Sequence, residues 1–165
     1  MASRQRSRTR GPRTRTRRPA RAPGRKPSAR RATKPARRET LRVRAYEPTF
    51  TVDDIARSER FYTEVIGFVV DQRWSEEGQL KGLLLKAGDS RLGLSQDDWA
   101  KGRDRKKGIG LSVWCQTDQD IDALAARIKA AGGRLTSGPS DEPGLGRNLA
   151  VDDPDGFRLR FYRRS

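Results

Sequence analysis

The stretch that decides the fold of this 165-residue chain is VDDIARSERFYTEVIGF, residues 52–68. A short apolar strand ends at Val52, and Asp53 and Asp54 follow as candidates for the N-cap of a helix, because aspartate oxygens accept hydrogen bonds from the free N–H groups of a first helical turn. Gly67 marks the end of that helix, since glycine readily adopts the left-handed conformation found there. The apolar face of the helix is expected to pack on a sheet; it comprises Phe61, Tyr62, Val65 and Ile66.

Outward from this helix, the pattern predicts one βαβββ module over residues 45–97. A strand near residues 46–52 precedes the helix, and alternating segments after it indicate three strands over residues 68–74, 79–86 and 91–96. The last two strands are joined by Ala87-Gly88-Asp89-Ser90, whose composition is typical of a turn. The strongly charged residues 98–107 are interpreted as a linker.

The same order of elements returns in residues 108–165. A strand is predicted near 109–115, a helix starting at Asp118 and closed by Gly132-Gly133, and three strands over 134–136, 147–151 and 157–162. A repeat of this kind arises when a unit is duplicated and the sequences of the two copies then diverge. The predicted fold class is therefore α+β, with two βαβββ modules forming a cup-shaped mixed sheet and the helices on its outer face.

Residues 1–44 form an Arg/Pro-rich basic tail that is predicted to be disordered, because it lacks the apolar residues needed to offset chain entropy. Of the 37 basic residues, 16 lie in residues 1–38, which leaves 21 to balance the 21 acidic residues of the rest. The tail is either an arm that binds nucleic acid non-specifically through counterion release, or an extension without function. In either case the net charge says nothing about the folded domain.

Composition also bounds the location of the protein. The single Cys115 excludes an intrachain disulfide framework, and no apolar run approaches the length that spans a bilayer. We therefore expect a cytoplasmic protein without a membrane span.

Several motifs together resemble the vicinal oxygen chelate superfamily, which includes glyoxalases, bleomycin-resistance proteins and extradiol dioxygenases. They are Val52-Asp53-Asp54, Ser58-Glu59-Arg60-Phe61-Tyr62, Val65-Ile66-Gly67-Phe68, Ala131-Gly132-Gly133 and Asp153-Pro154-Asp155-Gly156-Phe157. The resemblance covers the whole domain after the tail. It implies the two-module fold and a homodimer whose clefts draw on both chains.

Enzymes of that superfamily commonly bind a divalent metal, and the resemblance places its ligand positions on or next to Glu47, Gly93, Gly108 and Arg160. Glycine has no side-chain ligand, and a guanidinium has no lone pair to donate. The chain also contains no histidine, the commonest nitrogen ligand and neutral-pH base. These residues predict no metal and no cofactor, and they argue against metal-dependent glyoxalase or dioxygenase activity. Glu47 and Arg160 are expected either to form a clamp in place of the ion or to be solvated separately.

Alternation along the strands predicts an apolar face beneath the helices, which includes Ile109, Leu111 and Val113, and an opposite face that is polar or small. This opposite face is interpreted as the lining of a wet cleft or as an ordinary solvated sheet face. The candidate ligand-binding residues are Glu47, Arg91, Trp99, Trp114, Arg158, Arg160 and Tyr162. Their arginines and aromatic rings favour an anionic or aromatic ligand.

Three functions remain open at this point. The first is binding of a small polar or aromatic molecule in a metal-free cleft, in a resistance or sequestration role. The second is a metal-free isomerase or lyase that uses Glu47 as its base. The third is a nucleic-acid-associated accessory protein tethered by its tail.

Overall fold

The computed structural model describes residues 41–164, and the predictions for the basic tail before residue 41 lie outside them. The first module consists of β1 (Thr49–Val52), α1 (Ile55–Arg60) continuing as a π-helical segment (Phe61–Ile66), β2 (Val69–Glu76), β3 (Gln79–Ala87) and β4 (Ser90–Gln96). The second consists of β5 (Ser112–Gln116), α2 (Ile121–Ala130), β6 (Leu135–Glu142), β7 (Gly146–Asp152) and β8 (Arg158–Arg163).

Both modules have the same strand order. The first sheet runs β1-β4-β3-β2 and the second β5-β8-β7-β6. The pairs β1/β4 and β5/β8 are parallel, whereas the remaining neighbours are antiparallel. The α+β class and the repeated βαβββ unit are thus confirmed, and the mixed sheet is divided into two sheets of four strands.

The predicted caps account for the ends of the helices, with one correction. Asp54 Oδ1 accepts a hydrogen bond of 2.9 Å from the backbone N–H of Arg57, and Gly67 ends the helical stretch with φ 96°. In the second module Asp120, rather than Asp118, is the N-cap, accepting a 2.8 Å bond from the N–H of Ala123.

The prediction for the start of the fifth strand is wrong. Ile109 and Leu111 were expected on the apolar face but are 75% and 45% exposed, and β5 begins only at Ser112. Gly108 and Gly110 have φ values of 69° and 73°, which take the chain out of the extended conformation before the strand. The expected strand before Val52 is also shorter and begins at Thr49, while β6 continues beyond the expected residue 136 to Glu142.

One apolar core is shared by the two modules. Phe50 on β1 and Phe157 just before β8 stack with their ring centroids 4.2 Å apart. Tyr62 and Ile66 from the helix of the first module are buried in the same core, as predicted. The helices therefore cover one side of each sheet, and the other side of each sheet is here called its open face.

Polar contacts also join the modules through the turn Asp153-Pro154-Asp155-Gly156. The buried Tyr62 hydroxyl donates to Asp153 Oδ2 at 2.9 Å. Asp155 Oδ1 accepts hydrogen bonds from the N–H of Asp53 at 3.3 Å and from Arg57 Nη2 at 3.0 Å. The motif that sets the turn thus also attaches the second module to the first helix.

Within residues 41–164, no helix has both the length and the apolar character needed to cross a membrane.

Candidate functional site

The open face of the second sheet carries an aromatic and cationic cluster made of Trp114, Arg160 and Tyr162, called here the Trp114 cluster. Trp114 on β5 lies opposite Arg160 on β8 in the parallel register. The Arg160 guanidinium carbon is 5.2 Å from the centroid of the Trp114 ring, and the Tyr162 ring packs edge-on to it at 6.1 Å. The indole is nevertheless 54% exposed. Its neighbours hold it in place while one surface stays open to a ligand.

Two side chains position the Arg160 guanidinium over the indole. Glu142 Oε2, at the end of β6, accepts a 2.8 Å charge-assisted hydrogen bond from Nη1. Asn148 Oδ1 lies 3.5 Å from the same nitrogen. Asn148 is buried, and its amide nitrogen donates to the carbonyl oxygens of Ser140 and Gly146. Polar side chains of the strand pair β6/β7 therefore fix the position of the Arg160 guanidinium.

The other arginines of the open faces are paired as well. Arg158 makes two hydrogen bonds to Asp152, at 2.7 and 2.9 Å. Arg91 on the first sheet binds Asp71 at 3.1 Å and Glu47 at 3.4 Å. Each of the three predicted arginines therefore has a carboxylate partner, which strands β2, β6 and β7 supply.

Of the two alternatives for Glu47 and Arg160, the clamp is not formed, since Glu47 binds Arg91 and Arg160 binds Glu142. The chain's residues also do not fit a divalent metal at the superfamily positions. A side chain at Gly93 would have its Cβ 2.5 Å from Thr49 Oγ1, and one at Gly108 would meet the backbone of Gly156 at 2.0 Å. Among residues 41–164, no three His, Cys, Asp or Glu side chains are grouped to hold a metal ion.

Trp99 lies in the linker rather than in the Trp114 cluster. The guanidinium of Arg103 and the ammonium of Lys107 approach its ring to 4.6 and 5.1 Å. Lys107 is buried and binds Asp97 at 2.7 Å and Asp53 at 2.5 Å. Burial opposes the charge of Lys107, but its two carboxylate partners outweigh burial and raise its pKa. Trp99 thus contacts an ion-pair cluster that attaches the linker to the residues after β1 and β4.

Trp74 on the open face of the first sheet was not among the predicted site residues. It lies opposite Gly82 in the β2/β3 register, with ring atom Cε3 3.0 Å from the position of a Cβ on that glycine. Its side chain is 48% exposed. The sequence showed a tryptophan at the end of a predicted strand. It did not show the β2/β3 register, which places a glycine beneath the tryptophan ring.

Cys115 is partly buried against the core. Burial raises the pKa of its thiol to about 11. A thiol that stays protonated at neutral pH is a poor nucleophile, so this side chain offers no covalent chemistry.

Comparison with known proteins agrees with this architecture. Residues 46–161 match the family model described as the Glyoxalase/Bleomycin resistance protein/Dioxygenase superfamily. Lactoylglutathione lyase GLX1 of Arabidopsis thaliana is 28% identical over 127 residues, 70% of this chain and 42% of that protein. The CFP32 protein of Mycobacterium tuberculosis is 32% identical over 96 residues, 58% of this chain and 34% of its own length. The chain thus spans less than half the length of these curated relatives.

Solved structures share the fold. A glyoxalase/bleomycin resistance protein from Streptomyces sp. CB03234 has a TM-score of 0.54 and 26% identity, over 70% of this chain and 96% of that one. TnmS3, an antibiotic binding protein from the same organism, has a TM-score of 0.59 and 24% identity, over 76% of this chain and 99% of that one. Together with the family match over residues 46–161, these findings identify the chain as a member of the glyoxalase/bleomycin resistance protein/dioxygenase superfamily.

Proposed function

We propose that this protein binds a small aromatic molecule on the open face of its second sheet, without a metal, and acts by holding that molecule in a resistance or sequestration role. The observation that carries the proposal is the half-exposed Trp114 ring, flanked by Arg160 and Tyr162. A rigid aromatic ring offers a large contact area at little entropic cost, and ring pairs contribute about 0.5–1.5 kcal/mol beyond the area they bury.

The surroundings of the Trp114 cluster support a ligand of moderate size. A cavity of about 420 Å³ is lined by residues 108–112, Gly156 and Arg158. That volume is within the range typical of small-molecule sites. Ser112 and Arg158 are paired on β5 and β8, two residues before the pair Trp114 and Arg160. A second cavity, of about 580 Å³, is lined by residues 141–146 and Arg164, and neither cavity has an aromatic residue in its lining. We assign the ligand to the smaller cavity and the Trp114 ring, because the Ser112 and Arg158 pair of its lining precedes Trp114 and Arg160 on the same face of β5 and β8.

We also propose that the protein is a homodimer in which the open faces of two chains close over the ligand. Each face exposes a large apolar ring in the single chain, namely Trp74 at 48% and Trp114 at 54%, and Val69 at the start of β2 is 61% exposed. Exposed apolar surface of this kind is typical of sites that a partner or ligand covers.

The enzyme alternative has less support. Glu47, its proposed base, is exposed and held by Arg91, so it lacks the dry surroundings that make a carboxylate a useful base near neutral pH. The alternative of a nucleic-acid tether depends on residues 1–38, which lie outside the described part of the chain.

The chain's three tryptophans provide the test. Full-length protein labelled with nitrogen-15 would be titrated with 1-naphthalenemethanol while the three indole N–H signals are followed by NMR, each assigned from a Trp→Phe variant. We expect a saturable shift of the Trp114 signal and none of the Trp99 signal. Trp114→Ala should weaken binding by about tenfold, the loss of one stacking partner, whereas Trp99→Ala should leave it unchanged. Equal affinity in Trp114→Ala would contradict the proposal.

A further inference from the structure

The charge beside the Trp114 indole depends on a single carboxylate, whereas the Tyr162 ring of the same cluster has the guanidinium carbon of Arg164 at 5.9 Å. Arg160 is the cation that contacts the exposed indole, and its two polar partners differ in kind. Asn148 presents a neutral amide oxygen at 3.5 Å, whereas Glu142 presents a carboxylate oxygen at 2.8 Å. Within residues 41–164, Glu142 is therefore the one ionic partner of Arg160.

We infer that Glu142 determines the charge of the ligand that this site accepts: by neutralising Arg160 it makes the Trp114 cluster selective for an uncharged aromatic compound over an anionic one. This inference rests on the proposed function, because it assigns a specificity to the same surface.

The geometry explains why Glu142 and not another residue controls the charge. Arg158 and Asp152 lie on neighbouring strands and form a pair with two hydrogen bonds, which leaves few donors of Arg158 free for a ligand. Arg160 meets Glu142 through one nitrogen, Nη1, and its Nε and Nη2 make no hydrogen bond within residues 41–164. An anionic ligand at Trp114 would find donors there but would also meet the negative charge of Glu142. A neutral ring meets no such opposition.

Glu142 is also the partner that can be changed without disturbing the strands. Its side chain is 49% exposed, while that of Arg160 is 24% exposed. Asn148 is buried and bonded to two backbone carbonyl groups, so its loss would unsettle the β6/β7 pair as well. Glu142→Gln keeps the shape and one acceptor oxygen but removes the charge.

A matched control exists on the opposite face of the same sheet. Asp122 on α2 binds Arg147 on β7 through two hydrogen bonds, of 2.9 and 2.7 Å, and its side chain is exposed like that of Glu142. Asp122→Asn changes the net charge of the protein by the same amount, away from the Trp114 cluster. It separates a local effect from a general rise in positive charge.

The experiment measures dissociation constants of full-length wild type, Glu142→Gln and Asp122→Asn for two probes with one ring system, 1-naphthalenemethanol and 1-naphthalenesulfonate, read from the Trp114 indole signal. The wild type should favour the neutral probe. Glu142→Gln should improve sulfonate binding by about five- to tenfold relative to naphthalenemethanol, because the freed guanidinium then makes a charge-assisted bond. Asp122→Asn should leave the ratio as in the wild type.

The outcomes separate this inference from the function on which it rests. If both probes shift the Trp114 signal but their affinity ratio is the same in wild type and Glu142→Gln, Glu142 does not set the charge preference. That result contradicts the inference and leaves the proposed function standing. An equal change of the ratio in Asp122→Asn also overturns the inference. If neither probe shifts the Trp114 signal in any variant, the proposed function falls, and the inference with it.

Discussion

At the scale of single residues, the contact between Tyr62 and Asp153 shows how a core position acquires a second role. Burial and the nearby Asp153 raise the pKa of Tyr62, so its hydroxyl stays protonated and donates across the module boundary. Burial also raises the pKa of Asp153, although hydrogen bonds from the N–H of Phe157 and from Tyr62 oppose this effect. Because the pair is buried, loss of either partner would leave an unsatisfied polar atom and lower the free energy of unfolding.

Tyr62→Phe should lower the free energy of unfolding by about 1–3 kcal/mol, because Asp153 loses a buried donor while the aromatic ring is retained. Urea denaturation at neutral pH measures the change. Tyr46→Phe is the matched control, since Tyr46 is 83% exposed and its change should stay within about 0.5 kcal/mol. Equal stability of the two variants would mean that the bond across the modules contributes nothing.

The residues that periodicity describes could be predicted, and those that depend on long-range register could not. Tyr62 and Ile66 were predicted as core from their helical spacing and are buried. Asp153 was recognised only as part of a turn, because nothing local shows that it reaches a tyrosine 91 residues earlier. Likewise, the pairing of Arg160 with Glu142 depends on the register of β6, β7 and β8. For this reason the sequence alone did not show that each predicted arginine has a carboxylate partner.

At the scale of elements, the first helix ends in a segment whose carbonyl groups are satisfied from the second module. Arg127 on α2 donates to the carbonyl oxygens of Val65 and Ile66 at 3.3 and 2.6 Å. Its guanidinium lies over Gly67, 3.0 Å from the position a Cβ would take. Gly67 thus provides both the left-handed turn and the space for the arginine, which ties the two helices together.

Arg127→Met should therefore destabilise the fold by about 1 kcal/mol, because it removes charged hydrogen bonds from helix-terminal carbonyl groups at a partly exposed site. Lys129→Met, in the same turn of α2, is the control and should have a smaller effect. Thermal unfolding of both variants measures the difference. A larger loss for Lys129→Met would contradict the role assigned to Arg127.

The linker adds an element whose attachment depends on pH. The Asp97 carboxylate accepts hydrogen bonds from Lys107 and from the N–H of Trp99, and these contacts, with Arg105, hold the pKa of Asp97 well below its usual range. A carboxylate with a lowered pKa contributes stability above its ordinary pKa, and that contribution is lost as the pH falls. The raised pKa of Asp153 acts in the opposite direction, contributing at low pH and fading as the pH rises.

Asp97→Asn should accordingly be less stable than wild type at pH 7, and the gap between them should narrow as the pH falls below about 4. Urea denaturation at pH 7, 5 and 3.5 measures the gap. Asp118→Asn removes an exposed carboxylate and should follow the wild type throughout. A gap that stays constant with pH would show that Asp97 acts through something other than its charge.

At the scale of the whole molecule, two similar modules share one core and leave two open sheet faces that carry Trp74 and Trp114. The modular plan was evident from the repeat of strand, helix and glycine signals. Two glycines with positive φ moved the start of β5. The sequence pattern also did not show that both tryptophan rings are about half exposed. The fold was therefore more predictable than the site.

Sedimentation equilibrium of the full-length protein should give a mass of about twice the 18.6 kDa of one chain, because a dimer would cover the exposed rings. The measurement should be made at low and high salt, since any association through the basic tail is screened by salt, whereas apolar contact between sheet faces is not. A monomer at all concentrations and salt conditions would contradict the proposed dimer.

The central claim, that the Trp114 cluster is the ligand site, is tested most directly by intermolecular NOEs between 1-naphthalenemethanol and the full-length protein. We expect NOEs from the protons of the probe to the rings of Trp114 and Tyr162. NOEs confined to Trp99 in the linker, or to Leu145 in the β6–β7 hairpin, would contradict it.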